Sequence, residues 1–309
     1  MSRDLFAMAE GIKLKSVEGL RPLNEVFIDD MKTKVAIVTG GATGLGYCVV
    51  NRLAEAGAKV VIGCQGEESG KKAESEFRAK GYEVSFCKTD VRTVDECYAL
   101  VDFAVKTYGN VDILVTPAAT WSMHAFLDMP EAEYDRVIDT NMKGEYFMAQ
   151  AAARQMVKSK TPGKIVLISS VAYMASDADG TAMMTHYNAC KGGVVSMTRG
   201  IAKELKQYGI NVNCVAPGGM TTRGALTNGP EAGALYGEEY LEVRSTNGRM
   251  TPRTNTPDEV ALLVYAMCTD MANFMYGETI IADGGSLLSF QQKPWSYTVE
   301  GCIPGPKGE

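Results

Sequence analysis

Lys34-Val35-Ala36-Ile37-Val38-Thr39-Gly40-Gly41-Ala42-Thr43-Gly44-Leu45-Gly46 is the stretch that decides the fold. Its first six residues form a short apolar, β-branched run, the pattern of a strand buried on both faces of a parallel sheet. A glycine-rich turn follows at once. Residues 47–56 then read as a helix, closed by Gly57. Between a strand and a helix, glycines acquire a specific meaning. They permit a tight turn and close backbone approach, while the free N–H groups of the helix start suit a pyrophosphate.

The rest of the chain keeps this alternation. Strand-like runs recur at 59–63, 83–87, 111–115, 164–168, 210–215 and 279–282. Helical stretches lie between them, at about 69–80, 93–108, 131–158, 187–208 and 257–271. Seven strands alternating with helices define an α/β fold with a doubly wound, seven-stranded parallel sheet of the Rossmann type. A length of 309 residues permits two domains, but no composition shift or long Gly/Ser linker divides the chain. The expectation is a single domain over 33–285, with an N-terminal extension at 1–32 and a C-terminal tail at 286–309.

Composition narrows the function classes. A net charge of −6 argues against a nucleic-acid partner. Eight cysteines without C-x-x-C spacing fit reduced thiols in a cytoplasm better than a disulfide framework. With only His124 and His186 present, no His-rich metal site is expected, nor histidine acid–base chemistry. The first thirty residues carry acids throughout and lack the apolar core of a signal peptide. No run approaches the ~18 apolar residues of a membrane-spanning helix, so no membrane partner is expected.

Further along, His186-Tyr187-Asn188-Ala189-Cys190-Lys191 places a phenol and an ammonium four residues apart, on one face of a helix. A nearby cation favours phenolate and pulls a tyrosine below its reference pKa of about 10. Such a group can give a proton to a ketone oxygen or take one from an alcohol. The spacing alone occurs by chance; with the glycine turn it gains weight.

Together these motifs resemble the short-chain dehydrogenase/reductase family in its compact single-domain branch. The likeness runs from about Lys34 to Gly285 and is carried by Thr39-Gly40-x-x-x-Gly44-x-Gly46 and Tyr187-x-x-x-Lys191. Asp90-Val91, Asn141-Met142-Lys143-Gly144, Ile168-Ser169-Ser170, Asn213-x-Val215-x-Pro217-Gly218 and the closing Gly277 to Asp283-Gly284-Gly285 follow in the family's order. The resemblance implies four catalytic residues. Tyr187 would move the proton and Ser170 would hold the substrate oxygen. Lys191 would lower the Tyr187 pKa and bind the nicotinamide ribose, and Asn141 would hold a relay water. It also implies a dinucleotide lying along Gly40, Thr43, Gly44, Leu45, Gly46, Gln65, Asp90, Val91, Ala118, Tyr187, Lys191, Pro217, Gly218, Met220 and Thr222. Relatives that keep the fold as redox-sensing modules usually lose the tyrosine or lysine. Both stand here, so oxidoreduction between a secondary alcohol and a ketone is expected.

Two stretches depart from the family. Thr116-Pro117-Ala118-Ala119 stands where the fourth strand usually runs into Asn-Asn-Ala-Gly, and Pro117 removes a backbone donor there. A shifted hydrogen-bond pattern with retained activity is expected. Ser170 and Tyr187 are 17 positions apart, and residues 176–180 look like an enlarged loop beside the active site. For cofactor choice, Cys64-Gln65 ends the second strand where the family places an Asp for NAD or an Arg for NADP. Leaving a 2′-phosphate without a cation costs more than losing one hydrogen bond. NAD(H) is therefore preferred, with NADP(H) as the alternative through Lys71 or Lys72.

The substrate lid is expected at about 220–256, with Leu226, Tyr236, Tyr240, Leu241 and Met250, and Met123 and Met184 as pocket walls elsewhere. Apolar, Met-containing walls suit a bulky hydrophobic small molecule. A steroid is the first choice, as in hydroxysteroid dehydrogenases, with sugar, 3-oxoacyl and quinone substrates open. The resemblance further implies a homotetramer, and the apolar residues in 1–32 suggest that an extension packs at an interface or rims a pocket.

Overall fold

The 34–39 run forms β1 (Val35–Thr39), and all of it is buried. Its side chains alternate between two cores: Ala36 and Val38 point to one face of the sheet and Ile37 to the other. The computed structural model describes residues 29–174, 183–220, 222, 255–285 and 287. The expected lid, the 176–180 loop and both terminal extensions lie largely outside the described residues.

The other strands are β2 (Lys59–Cys64), β3 (Val84–Lys88), β4 (Ile113–Thr116), β5 (Gly163–Ile168), β6 (Ile210–Pro217) and β7 (Thr279–Ala282). They form one parallel sheet in the order β3-β2-β1-β4-β5-β6-β7. Among the described residues seven helices connect them: α1 (Gly44–Glu55), α2 (Glu67–Ala79), α3 (Val94–Tyr108), α4 (Glu131–Ile138), α5 (Gly144–Ser159), α6 (Thr185–Leu205) and α7 (Pro257–Cys268). Helices α1, α2 and α7 pack on one face of the sheet, and α3, α5 and α6 on the other. Coverage of both faces is why the strands are continuous apolar runs.

The single helix expected over 131–158 is two helices. Between α4 and α5 the backbone widens into a π turn, Asp139–Lys143, in which the Gly144 N–H reaches back to the Asp139 carbonyl. The Asn141 side chain is the evident cause, because its amide donates to Val137 O (2.8 Å) and Thr120 O (2.6 Å). A side chain that takes up a helical carbonyl disturbs the regular ladder. Apolar periodicity runs unbroken through the joint and gives no hint of it.

Phe77 fixes α2 to the sheet. It is fully buried and stacks on Tyr47 of α1 with ring centroids 4.5 Å apart. Phe77→Ala removes the anchor and leaves a cavity, so a loss of about 3–5 kcal/mol is expected. Denaturant unfolding measures it; a loss below about 1 kcal/mol would show that α2 docks by other contacts.

Candidate active site

In a parallel sheet all carboxyl ends share one edge, and the crevice opens where the strand order reverses. Here that point lies between β1 and β4. Gly40, just past β1, has φ +63°, and a Cβ on it would lie 2.9 Å from the Ala118 Cα. Gly46 is tighter still: a Cβ there would lie 2.2 Å from the Gly40 carbonyl oxygen. The turn thus packs backbone on backbone. The Ala118 N–H donates to Thr39 Oγ1 (3.3 Å), which ties the turn after β1 to the Pro117 segment after β4.

The start of α1 suits a dinucleotide pyrophosphate. Thr43 precedes the helix without a side-chain capping bond, and no acid occupies the first turn. The N–H groups and the positive dipole end are left for an anion. Thr222 lies beside Gly44, with its Cγ2 3.6 Å from where a Cβ would stand. Leu45 is buried in the α1 face of the core. Farther out, Asp90 accepts from both Nε and Nη2 of Arg92 (3.0 and 2.6 Å). That guanidinium, aided by a hydrogen bond from Gln65, holds the Asp90 carboxyl down at about 2. Gln65, Asp90 and Arg92 therefore form one polar cluster. Val91 is buried against Gly144. At the far end, Pro217 closes β6, the Gly218 N–H donates to Ala282 O (2.9 Å), and Met220 bridges to Asn255.

The proton-handling end is assembled from α6, β5 and the π turn. Tyr187 lies in the first turn of α6, half-buried, and packs with Trp121 and Met183 around the buried Met123–Met184 pair. The Lys191 Nζ stands 5.7 Å from the Tyr187 ring centroid. Ser170 follows β5 in extended conformation, and its Oγ accepts from the Ala172 N–H (3.2 Å). Asn141 is fully buried, with its amide committed to Val137 and Thr120. His186 is also buried, within 3.2 Å of Ser122 Oγ, and burial pushes its pKa down.

One residue of this centre is not among those the sequence motifs point to. Lys191 is 1% exposed, and its ammonium donates to Glu145 Oε1 (2.8 Å) and to the Ile168 carbonyl (2.7 Å). Glu145 Oε2 accepts from Thr116 Oγ1 (2.9 Å) and the Ile168 N–H (3.2 Å). Burial, the largest single influence, disfavours the ammonium, but Glu145 together with Tyr187 outweighs it and the Lys191 pKa is raised. A signal was available: Glu145 shares its helix face with buried Met148, Ala149, Ala152 and Met156. A carboxylate inside an apolar stripe calls for a counter-charge.

A doubly wound sheet with a glycine turn and a Tyr–Lys pair at its carboxyl edge defines a nucleotide-dependent oxidoreductase. Residues 34–231 match the model for short chain dehydrogenase, and the chain belongs to that family. It is an NAD(P)-dependent dehydrogenase/reductase of alcohols or ketones. L-rhamnose 1-dehydrogenase (NAD(P)(+)) of Azotobacter vinelandii is 34% identical over 84% of this chain and 98% of its own. The 3-oxoacyl-[acyl-carrier-protein] reductase of Chlamydia muridarum is 33% identical over 82% and 96%. Among solved structures, a variant of actinorhodin polyketide ketoreductase with NADPH superposes with a TM-score of 0.76 at 29% identity, covering 83% of this chain and 98% of that one.

Gly46→Ala should force the turn apart and weaken NADH binding by about tenfold or more, some 1.4 kcal/mol. Fluorescence titration reads this, and an unchanged affinity would show that the turn is not the phosphate cradle.

Proposed function

We propose that this enzyme interconverts a bulky apolar secondary alcohol and its ketone, with Tyr187 as the general acid and base. The observation that carries the reading is the setting of Tyr187, a phenol beside a buried ammonium and packed, like Trp121 and Met183, against buried Met123 and Met184. Such a wall favours an apolar substrate over a strongly hydrated one. In reduction the Tyr187 hydroxyl gives its proton to the carbonyl oxygen, and in oxidation it takes the alcohol proton back. The Ser170 hydroxyl holds that oxygen in place. The Lys191 charge stabilises the phenolate, and the π turn around Asn141, whose side chain is itself satisfied by Val137 and Thr120, would supply backbone carbonyls to water that returns the proton. A nicotinamide cofactor, when bound, supplies or accepts the hydride.

The surroundings of Gln65 support a preference for NAD(H). Glu67 and Glu68 fill the first turn of α2 directly after it. The basic side chains around that turn are engaged with acids: Lys71 with Glu67 (2.6 Å), Lys88 with Glu67 (3.6 Å), Lys72 with Glu76 (4.0 Å) and Arg92 with Asp90 (2.6 Å). A 2′-phosphate would meet carboxylates, and NADP(H) remains the weaker alternative. A steroid ketone is the first substrate to try. A sugar is the second reading, favoured by the 34% identity to L-rhamnose 1-dehydrogenase over nearly all of that enzyme.

A panel of steroid ketones, short ketones, 3-oxoacyl thioesters, quinones and sugars, run separately with NADH or NADPH (and the oxidised cofactors for alcohols and sugars), tests the reading. Turnover of apolar ketones with NADH is expected; turnover confined to sugars would replace the first reading by the second. Tyr187→Phe should lower kcat by about 10²–10⁴-fold while NADH affinity stays close to wild type. Retained kcat would remove Tyr187 from the chemistry.

We propose also that the chain works as a cytoplasmic homotetramer. Ile281 on the edge strand β7, and Leu262, Met271 and Phe274 in the segment leading to it, are exposed apolar side chains that a second copy could cover. Light scattering should give four times the chain mass, and a monomer at working concentration would exclude it.

A further inference from the structure

We propose that Glu145 is a positioning residue of the reaction, the internal counter-ion that keeps Lys191 protonated where water cannot. The inference rests on Lys191 serving Tyr187 and the cofactor, as set out above. Both side chains are almost wholly buried, at 1% and 2% exposure, and meet at 2.8 Å. Glu145 Oε1 faces the Lys191 ammonium and Oε2 the Ile168 N–H, two groups that donate and cannot accept, and the Thr116 hydroxyl completes the set at Oε2. Burial pushes the Glu145 carboxyl up, and Lys191, Thr116 and the Ile168 N–H oppose it; with a pure donor at each oxygen, the geometry favours the carboxylate.

The other titratable groups around the pair leave Glu145 no substitute. Tyr187 and Cys190 approach from α6 and Cys214 from β6. Burial pushes Cys190 up to about 11 and Cys214 up to about 12, so both thiols stay neutral. Tyr187 must itself cycle between phenol and phenolate, and so cannot serve as a permanent anion. Without Glu145, the ammonium would keep only the Ile168 carbonyl among its described partners. Buried lysines stripped of a partner lose their protons far below their usual range, some near pH 5–6.

The consequence is a pH dependence that the wild type lacks. In Glu145→Gln the shape is kept and the charge removed, so Lys191 should titrate inside the working range. As pH rises from about 6 to about 9, NADH affinity should fall about tenfold and kcat/KM should fall with it. The wild type should hold its affinity over that range, and Glu145→Asp, which keeps the charge, should recover most of it. NADH fluorescence titration reads the affinity without any substrate. A wild type that turns over nothing in the panel but binds NADH in this pattern would sink the substrate reading and uphold the counter-ion role.

Stability gives a second measurement. Breaking a buried pair strands a charge, whereas removing both partners does not. The melting temperature of Glu145→Gln should be below wild type, and adding Lys191→Met should raise it again. If Glu145→Gln fails to fold, a double variant that does fold supports the proposal in the same way. The proposal is overturned by a Glu145→Gln pH profile parallel to wild type, or by an acidic limb moved to lower pH with affinity intact. A double variant no more stable than Glu145→Gln overturns it too.

Discussion

A charged amine removed from water must be answered from inside the protein. Here that demand fixes how four elements meet. Lys191 comes from α6 and Glu145 from α5, while Ile168 at the end of β5 serves both members of the pair. Thr116, at the end of β4, completes the carboxylate. Ser169 then donates to the Lys191 carbonyl (2.8 Å), holding the backbone of α6 against the same strand end. Tyr187 stands one helical turn before this anchor, so its ring is aimed by a polar knot that it does not itself join.

The βα turns after β1 and β2 have opposite electrostatic characters, each set by the first turn of a helix. The start of α1 carries no acid in its first turn, which leaves its N–H groups open to an anion. Two glutamates at the start of α2 occupy their helix dipole and repel further negative charge. One fold therefore leaves one βα turn electrostatically open to an anion and lines the next with carboxylates. The β-strands are nearly interchangeable in this respect, and selectivity lies in the few residues that follow them.

Much of this was legible in the sequence, for identifiable reasons. Strands buried on both faces had to be apolar runs, and all seven fell close to where such runs occur. The glycine turn and the Tyr187–Lys191 spacing were readable because each lies within one local segment. The π turn was not readable, because it arises when Asn141 bonds Thr120, 21 positions away. Glu145 escaped for the same reason, its partner being 46 positions distant. Apolar periodicity reports which face of a helix is buried, and is silent on what a lone charge on that face will find. Of the walls, Met123 and Met184 do meet beside Tyr187, a convergence of separate segments that only the fold could supply.

The widened turn at Asp139–Lys143 sets the phase of everything after it. A π turn carries one residue more than a regular helix would use, and each residue in a helix corresponds to a rotation of about 100°. Trimming that residue would leave α5 a good helix with its composition intact. It would nevertheless roll Glu145 off the Lys191 side and bring a neighbour such as Tyr146, now at the surface, toward the interior. The joint between α4 and α5 thus behaves as a rotary index. For a chain of this design, a one-residue deletion there is a graver change than most substitutions in the helices it connects.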